Sequence, residues 1–152
     1  MRKRYVAAAL VSALFFSCVL LIAAIAKIFY PIQMPQPWKM LVFIVAGLEL
    51  LFAACVLRYY SFARMWSVIA IVTAGWAGYS LFWLLAKLPC GCMGKMLDLP
   101  SGMTFSFDLV FLCISLILIT KFKRFSYATL GLASMAGLVG YFAAFHLFTL
   151  LR

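Results

Sequence analysis

Charge is what this sequence has least of. Only 11% of its 152 residues are charged, and just three of those, Glu49, Asp98 and Asp108, are acidic. In their place, 68% of the chain is hydrophobic and mean hydropathy is +1.16. Soluble domains carry about a quarter charged residues, so this balance excludes one and points to an integral membrane protein. Histidine is nearly absent too, with His146 alone, and one histidine beside scattered cysteines makes no metal site. A net charge of +10 would suggest a nucleic-acid partner for a soluble chain. Here no nucleic-acid motif accompanies it, and the cations punctuate apolar runs as they do at the flanks of membrane spans.

Five such runs follow one another, predicting an all-α membrane helical bundle, a single domain over 1–152, with helices at about 5–29, 38–57, 65–88, 105–120 and 126–151. About 20 residues at ~1.5 Å each cross a ~30 Å hydrocarbon core, which identifies the lipid bilayer as the partner of these surfaces. Arg2-Lys3-Arg4, an apolar run and Ala24-Ile25-Ala26 also imitate a cleavable secretory signal. The run is longer than a signal core, which favours a retained span. Pro31, Pro35 and Pro37 mark a short, stiff connection to the second helix. Small residues recur at four-residue spacing in the third run, at Ala70, Ala74 and Gly78, and in the fifth, at Ala136, Gly140 and Ala144. Such rows let helix backbones approach closely in lipid.

Topology follows from the cations. With five spans, the side holding the N-terminus carries Arg2, Lys3, Arg4, Arg58, Arg64, Lys121, Lys123 and Arg124; the other carries only Lys27, Lys39, Lys87, Lys95 and Arg152. The positive-inside rule then places the N-terminus in the cytoplasm of a multi-pass inner (plasma) membrane protein and the connection after the third helix outside, periplasmic or extracellular.

That connection carries the chain's concentrated chemistry. Residues 89–95 read Pro-Cys-Gly-Cys-Met-Gly-Lys. Pro89 cannot continue a helix, and Gly91 and Gly94 free the backbone to turn. Cys90 and Cys92 have Cα atoms at most about 7 Å apart, so a flexed Gly91 brings them within disulfide range, with strain. Strain makes such a bond reducible, and Lys87 and Lys95 favour the thiolate that carries out exchange. The predicted compartment is the one in which protein disulfides persist. Cys18, Cys55 and Cys113 lie inside apolar runs and read as small buried hydrophobes.

Three ionisable residues fall within the spans. Glu49 lies about 16 Å past the interfacial Trp38, near the midplane, where a carboxylate must be protonated, paired with a cation or hydrogen-bonded within the bundle. Lys27, one turn inside the outward end of the first helix, is the nearest partner by depth; alternatively it snorkels to the interface. Asp108 reads as lying in the first turn of the fourth helix, where it complements the helix dipole and stands on the side of the dithiol, a candidate for proton transfer. His146 reads as an interfacial histidine one turn from the end of the fifth helix.

Lys27, the Gly-Leu-Glu-Leu of residues 47–50 and the Cys-Gly-Cys-Met-Gly of residues 90–94 resemble the methylamine-utilisation protein MauE and the wider DoxX-like membrane proteins. The resemblance covers roughly residues 5–120 and is most specific at the Cys-Gly-Cys-x-Gly loop. The chain departs from the pattern at Met93, where an aromatic is common, and in a fifth span beyond the four-helix DoxX-like core. The resemblance implies a redox-associated membrane protein that supports maturation of a disulfide-containing extracytoplasmic protein alongside a thioredoxin-fold partner; no residue here specifies methylamine. In such a role Cys90 and Cys92 form the redox pair, Glu49, Lys27 and Asp108 assist proton movement or pairing, and a quinone could serve as a second electron carrier. Two other readings stay open: a non-catalytic assembly or scaffold subunit with a static CxC bridge, and a small transporter using Glu49.

Overall fold

A computed structural model describes residues 2–29, 36–88, 100–122 and 127–150, with side chains from residue 5 in the first stretch and residue 40 in the second. It contains five helices, α1 (Arg2–Phe29), α2 (Gln36–Tyr59), α3 (Ala63–Leu85), α4 (Ser101–Lys121) and α5 (Tyr127–Leu150), and no strand among the described residues. All five are long and apolar enough to cross a membrane, the shortest apolar stretch being the 20 residues Met40–Tyr59. At about 1.5 Å per residue that stretch still reaches ~30 Å. Large apolar side chains such as Leu48 and Leu51 on α2, Val110 and Ile117 on α4, and Leu138 and Phe142 on α5 are exposed. In water such surfaces would aggregate; in a bilayer they are the lipid-facing side. The protein is therefore an all-α, multi-pass membrane protein.

The helices pack in two groups, α1 with α2, and α3 with α4 and α5. In the first group the buried residues of α2, Ala46, Glu49, Ala53 and Val56, alternate three- and four-residue steps and so form one stripe. It meets a matching stripe of α1 that includes Ala9, Ala13, Phe16, Ser17, Leu20 and Ala24. The alanines bring the backbones close enough for Ser17 Oγ to donate to the Ala53 carbonyl at 3.2 Å. Phe16 sits edge-on to Phe52 with ring centroids 5.9 Å apart. The 16/52 and 17/53 contacts, with the ion pair described below, run antiparallel.

In the second group α3 is the shared element. Trp66, Ile69, Ala70, Thr73, Ala77 and Ser80 are among its buried residues. Against α5 the backbones meet at glycine: a Cβ at Gly78 would collide with the Gly137 carbonyl, and one at Gly140 with the Gly75 carbonyl. The expected small-residue rows thus lie on the contacting helices, with Gly78 and Gly140 at the closest approach and the Ala74 and Ala136 carbonyls 3.4 and 3.6 Å from where a Cβ on Gly137 and Gly75 would be; Gly75 and Gly137 are the contact residues outside those rows. Four-residue spacing drifts around a 3.6-residue helix, so a row chosen by that spacing leaves the contact line within a few turns. Phe82 extends the seam, packing on Tyr141 and Phe148 at 5.5 and 5.8 Å.

Most helix ends fall within a few residues of expectation, and the end of α3 and the start of α4 are the two shifts that bear on the site. Instead of continuing to residue 88, α3 stops at Leu85, because Lys87 adopts φ 56 while Leu88 N donates to Trp83 O and Lys87 N to Leu84 O, both at 3.1 Å. This is a Schellman stop, with lysine where glycine is usual. Helix α4 begins at Ser101 rather than 105, since the Pro100 carbonyl accepts from Met103 N and Thr104 N at 2.9 and 3.2 Å. Proline just ahead of a first turn costs no helical hydrogen bond. For the same reason Pro37 sits within the start of α2.

Candidate functional site

Among the described residues, polar groups gather at two places, one in each helix group. The first is an ion pair. Lys27 Nζ donates to Glu49 Oε1 at 2.5 Å, and each side chain is 9% exposed. Two charges leave water together here, so each is tolerable only because of the other. Lys27 therefore does not snorkel; its stem runs back along α1 toward Glu49, as the tilt of helical Cα–Cβ bonds toward the N-terminus allows. Glu49 Oε2 is buried and makes no hydrogen bond. The pair fixes α1 against α2 and leaves one carboxylate oxygen free to take a proton or a donor.

The second gathering lies on the α3–α4 seam. Ser80 Oγ donates to Asp108 Oδ2 at 2.7 Å and also reaches the Trp76 carbonyl at 2.9 Å. Because α4 starts at Ser101, Asp108 is not a first-turn residue: the first turn holds no acid, and the carboxylate sits about 10 Å along the helix. Dipole complementation fades within the first turn, so the capping explanation fails and a side-chain partner replaces it. Asp108 belongs to the inward stripe of α4, in register with buried Ser101, Thr104, Phe111, Ser115 and Leu118. One turn nearer the start of α4, Thr104 Oγ1 is buried with no hydrogen-bond partner among the described residues, and on α3 the Trp83 indole packs beside Tyr79 with ring centroids 6.1 Å apart.

Sequence reasoning missed Ser80, Thr104 and Trp83. The signal available was the three- and four-residue alternation of Ser101, Thr104, Asp108 and Ser115, a polar register inside an apolar helix, which marks a face turned from lipid. Cys90 and Cys92, the predicted redox pair, lie outside the described residues, as do Lys95 and the whole 89–95 loop. Lys87 is described, exposed and in the left-handed conformation. Cys18 and Cys113 are exposed and Cys55 half-buried, all three as free thiols, so the reading of buried small hydrophobes is corrected for the first two. An apolar run in a membrane protein has lipid-facing positions as well as core ones. His146 is exposed on α5. No three His, Cys, Asp or Glu side chains come together among the described residues.

The arrangement offers a buried acid, Glu49, balanced by a cation, and a half-buried one, Asp108, met by a hydroxyl, in separate helix groups. Comparison of the chain with protein-family models, with curated proteins and with solved structures found no match. The class that fold and polar groups define is a five-span membrane protein with intramembrane carboxylates, and its function is argued from its own residues.

Proposed function

We propose that this protein exchanges thiols and disulfides with an extracytoplasmic protein through Cys90 and Cys92, supporting that partner's maturation or redox state. The observation that carries the reading is the Cys90-Gly91-Cys92 pair between Lys87 and Lys95, in the segment joining α3 to α4. Orientation in a bacterial inner membrane supports it. Lys27 is neutralised by Glu49, so it leaves the count of flanking cations; the side holding residues 2–4 keeps all of its cations, while the side of the dithiol retains only Lys39, Lys87, Lys95 and Arg152. The positive-inside bias thereby sharpens, which supports an outward-facing dithiol. The similarity of Lys27, residues 47–50 and residues 90–94 to MauE and DoxX-like proteins points the same way, toward a thioredoxin-fold or disulfide-containing partner.

In the exchange, a thiolate of one cysteine attacks the partner disulfide, whose sulfur–sulfur bond breaks as a mixed disulfide forms. The second cysteine then attacks that bond, closing the Cys90–Cys92 bridge and releasing the partner as a dithiol. In this direction the Cys90–Cys92 bridge is reset by a two-electron donor; in reverse, the bridge oxidises a partner dithiol and a membrane quinone, reduced to quinol, takes up the electron pair and restores the bridge. The test is trapping: Cys90→Ser or Cys92→Ser leaves the mixed disulfide unresolved, so one of the two accumulates a reducible adduct with a second protein on non-reducing gels. Loss of complex stability in both variants, with no adduct and no change in partner redox state, would instead identify a scaffold with a static bridge.

A second reading rests on the Lys27–Glu49 pair and its unpartnered Oε2, which suit an intramembrane proton or ion site of a small transporter. It predicts that Glu49→Gln abolishes activity while Cys90→Ser is silent, the reverse of the exchange reading.

A further inference from the structure

Asp108 stands in the α3–α4 seam without a counter-charge. Ser80 Oγ donates to its Oδ2 at 2.7 Å, and Leu84 lies 3.5 Å from where a Cβ on Gly102 would be, so the two helices run antiparallel along this line. The carboxylate belongs to a membrane-spanning segment, where an ionised group is costly unless it is paired. Asp108 makes no ion pair among the described residues. The described cations of its own helix group are all remote along the helices. Lys87 is exposed about 10 Å past Ser80, while Arg64 and Lys121 lie about 24 and 20 Å away at the opposite ends of α3 and α4. His146 is exposed on α5. Glu49, by contrast, has Lys27 against it.

Thr104 is the second anomaly. It is 5% exposed and lies one turn from Asp108 on the inward stripe of α4, yet its Oγ1 has no hydrogen-bond partner among the described residues. A helical threonine ordinarily bonds back to a carbonyl three or four residues earlier, as Thr73 does to Ile69 at 2.8 Å. For Thr104 the carbonyl four residues earlier is that of Pro100, whose two lone pairs already accept from Met103 N and Thr104 N. The hydroxyl is left to bond within the seam.

A buried water would satisfy Thr104 and leave the charge of Asp108 unbalanced. A proton on Asp108 would cancel the charge and leave Thr104 unpaired. A cation does both, because a hard ion takes carboxylate and hydroxyl oxygens alike. We propose that Asp108, Thr104 and Ser80 form a binding site for a monovalent alkali cation, independent of the dithiol chemistry and of the Lys27–Glu49 pair. One carboxylate sets the ion's charge: a single positive charge leaves the site neutral within the membrane, as Lys27 leaves Glu49, whereas a divalent ion carries one charge too many. Ser80 is built for the change. Its Oγ also reaches the Trp76 carbonyl at 2.9 Å, so it can give its proton there and turn an oxygen lone pair to the ion. Asp108 is half-buried, which leaves room for water to complete the coordination shell. Occupancy ties α4 to α3.

The test is thermal unfolding of the full chain in a non-ionic detergent, followed by circular dichroism at constant ionic strength as N-methylglucamine is replaced by sodium or potassium. A ligand that binds the folded state alone stabilises it by mass action. Tm should therefore climb with at least one of the two alkali ions, by about 5 °C or more at about 100 times Kd. Asp108→Asn should abolish the rise. Thr104→Val should weaken the apparent affinity about tenfold, the loss of one polar partner, with recovery in Thr104→Ser, and Glu49→Gln should keep the rise. A Tm indifferent to both ions in the unmodified protein overturns the proposal, as does a rise that survives Asp108→Asn. A Tm that increases as pH falls, with no alkali-ion effect, makes the occupant a proton and likewise overturns it. If Asp108→Asn does not fold, the Thr104 variants decide: an affinity unchanged in Thr104→Val refutes the site.

Discussion

The buried ion pair makes the sharpest demand on stability. Lys27 and Glu49 are 7% and 8% exposed and joined at 2.5 Å, so removing either charge strands the other inside the α1–α2 contact. Breaking a buried pair costs about 3–5 kcal/mol, a factor of more than about 100 in the folding equilibrium at ~1.4 kcal/mol per decade. Glu49→Gln and Lys27→Met should each lose stability on that scale. Replacing both by apolar residues of similar volume, Lys27→Met with Glu49→Leu, removes the charges together and should recover most of the loss, because such replacements are about neutral or stabilising. The double-mutant cycle therefore predicts a coupling of about 3 kcal/mol or more, with the double variant more stable than either single one. Reversible unfolding in mixed micelles, titrated with dodecyl sulfate and followed by circular dichroism, measures all four proteins. Additive losses, or single losses below about 1 kcal/mol as for an exposed pair, would refute the ion pair as an element of the fold.

Other perturbations separate backbone from side-chain effects. Gly78→Ala and Gly140→Ala place a methyl against a carbonyl of the facing helix and should each cost about 1–3 kcal/mol, as overpacking does. Gly131→Ala, with nothing within 4 Å, serves as the control and should be neutral or stabilising in the same micelle titration. Lys87→Gly should relieve a left-handed conformation that costs a side-chain-bearing residue about 1–2 kcal/mol, raising thermal stability while slowing alkylation of the dithiol by iodoacetamide; a faster reaction would show that the Lys87 charge does not favour the thiolate. Ser80→Ala leaves a carboxyl oxygen of Asp108 without its donor and should destabilise by about 1–3 kcal/mol, with Ser80→Thr retaining most of the lost stability in chemical unfolding.

Much of this architecture was legible in the sequence because the bilayer imposes a simple rule: apolar runs of about 20 residues become helices, and the residues between them do not. Helix ends were less legible. Proline was expected to stop α3 at residue 88, but the chain turned earlier by forcing Lys87 into a conformation no propensity scale assigns to lysine. The fourth helix is expected from residue 105, but the Pro100 carbonyl starts α4 four residues earlier, and this one shift carries Asp108 from the helix mouth to a seat beside Ser80. The depth of Glu49 and Lys27 was readable from residue counts, but a count of rise cannot say whether two side chains at similar depth face each other; the stripe Ala46, Glu49, Ala53 and Val56 does. Thr104 and Trp83 went unnoticed because single polar residues in apolar runs carry meaning only once a register shows which face is inside.

The central claim is that Cys90 and Cys92 form an exchanging pair on the outer side of the membrane. The most direct measurement is their redox state in intact cells, read with a membrane-impermeant thiol reagent before and after mild reduction, with Cys18, Cys55 and Cys113 replaced by alanine. The account predicts labelling of both cysteines only after reduction, and labelling without reduction once the partner is depleted of its disulfide. Cysteines that react only after the cells are lysed would place the loop in the cytoplasm, and would contradict the topology and the exchange function together.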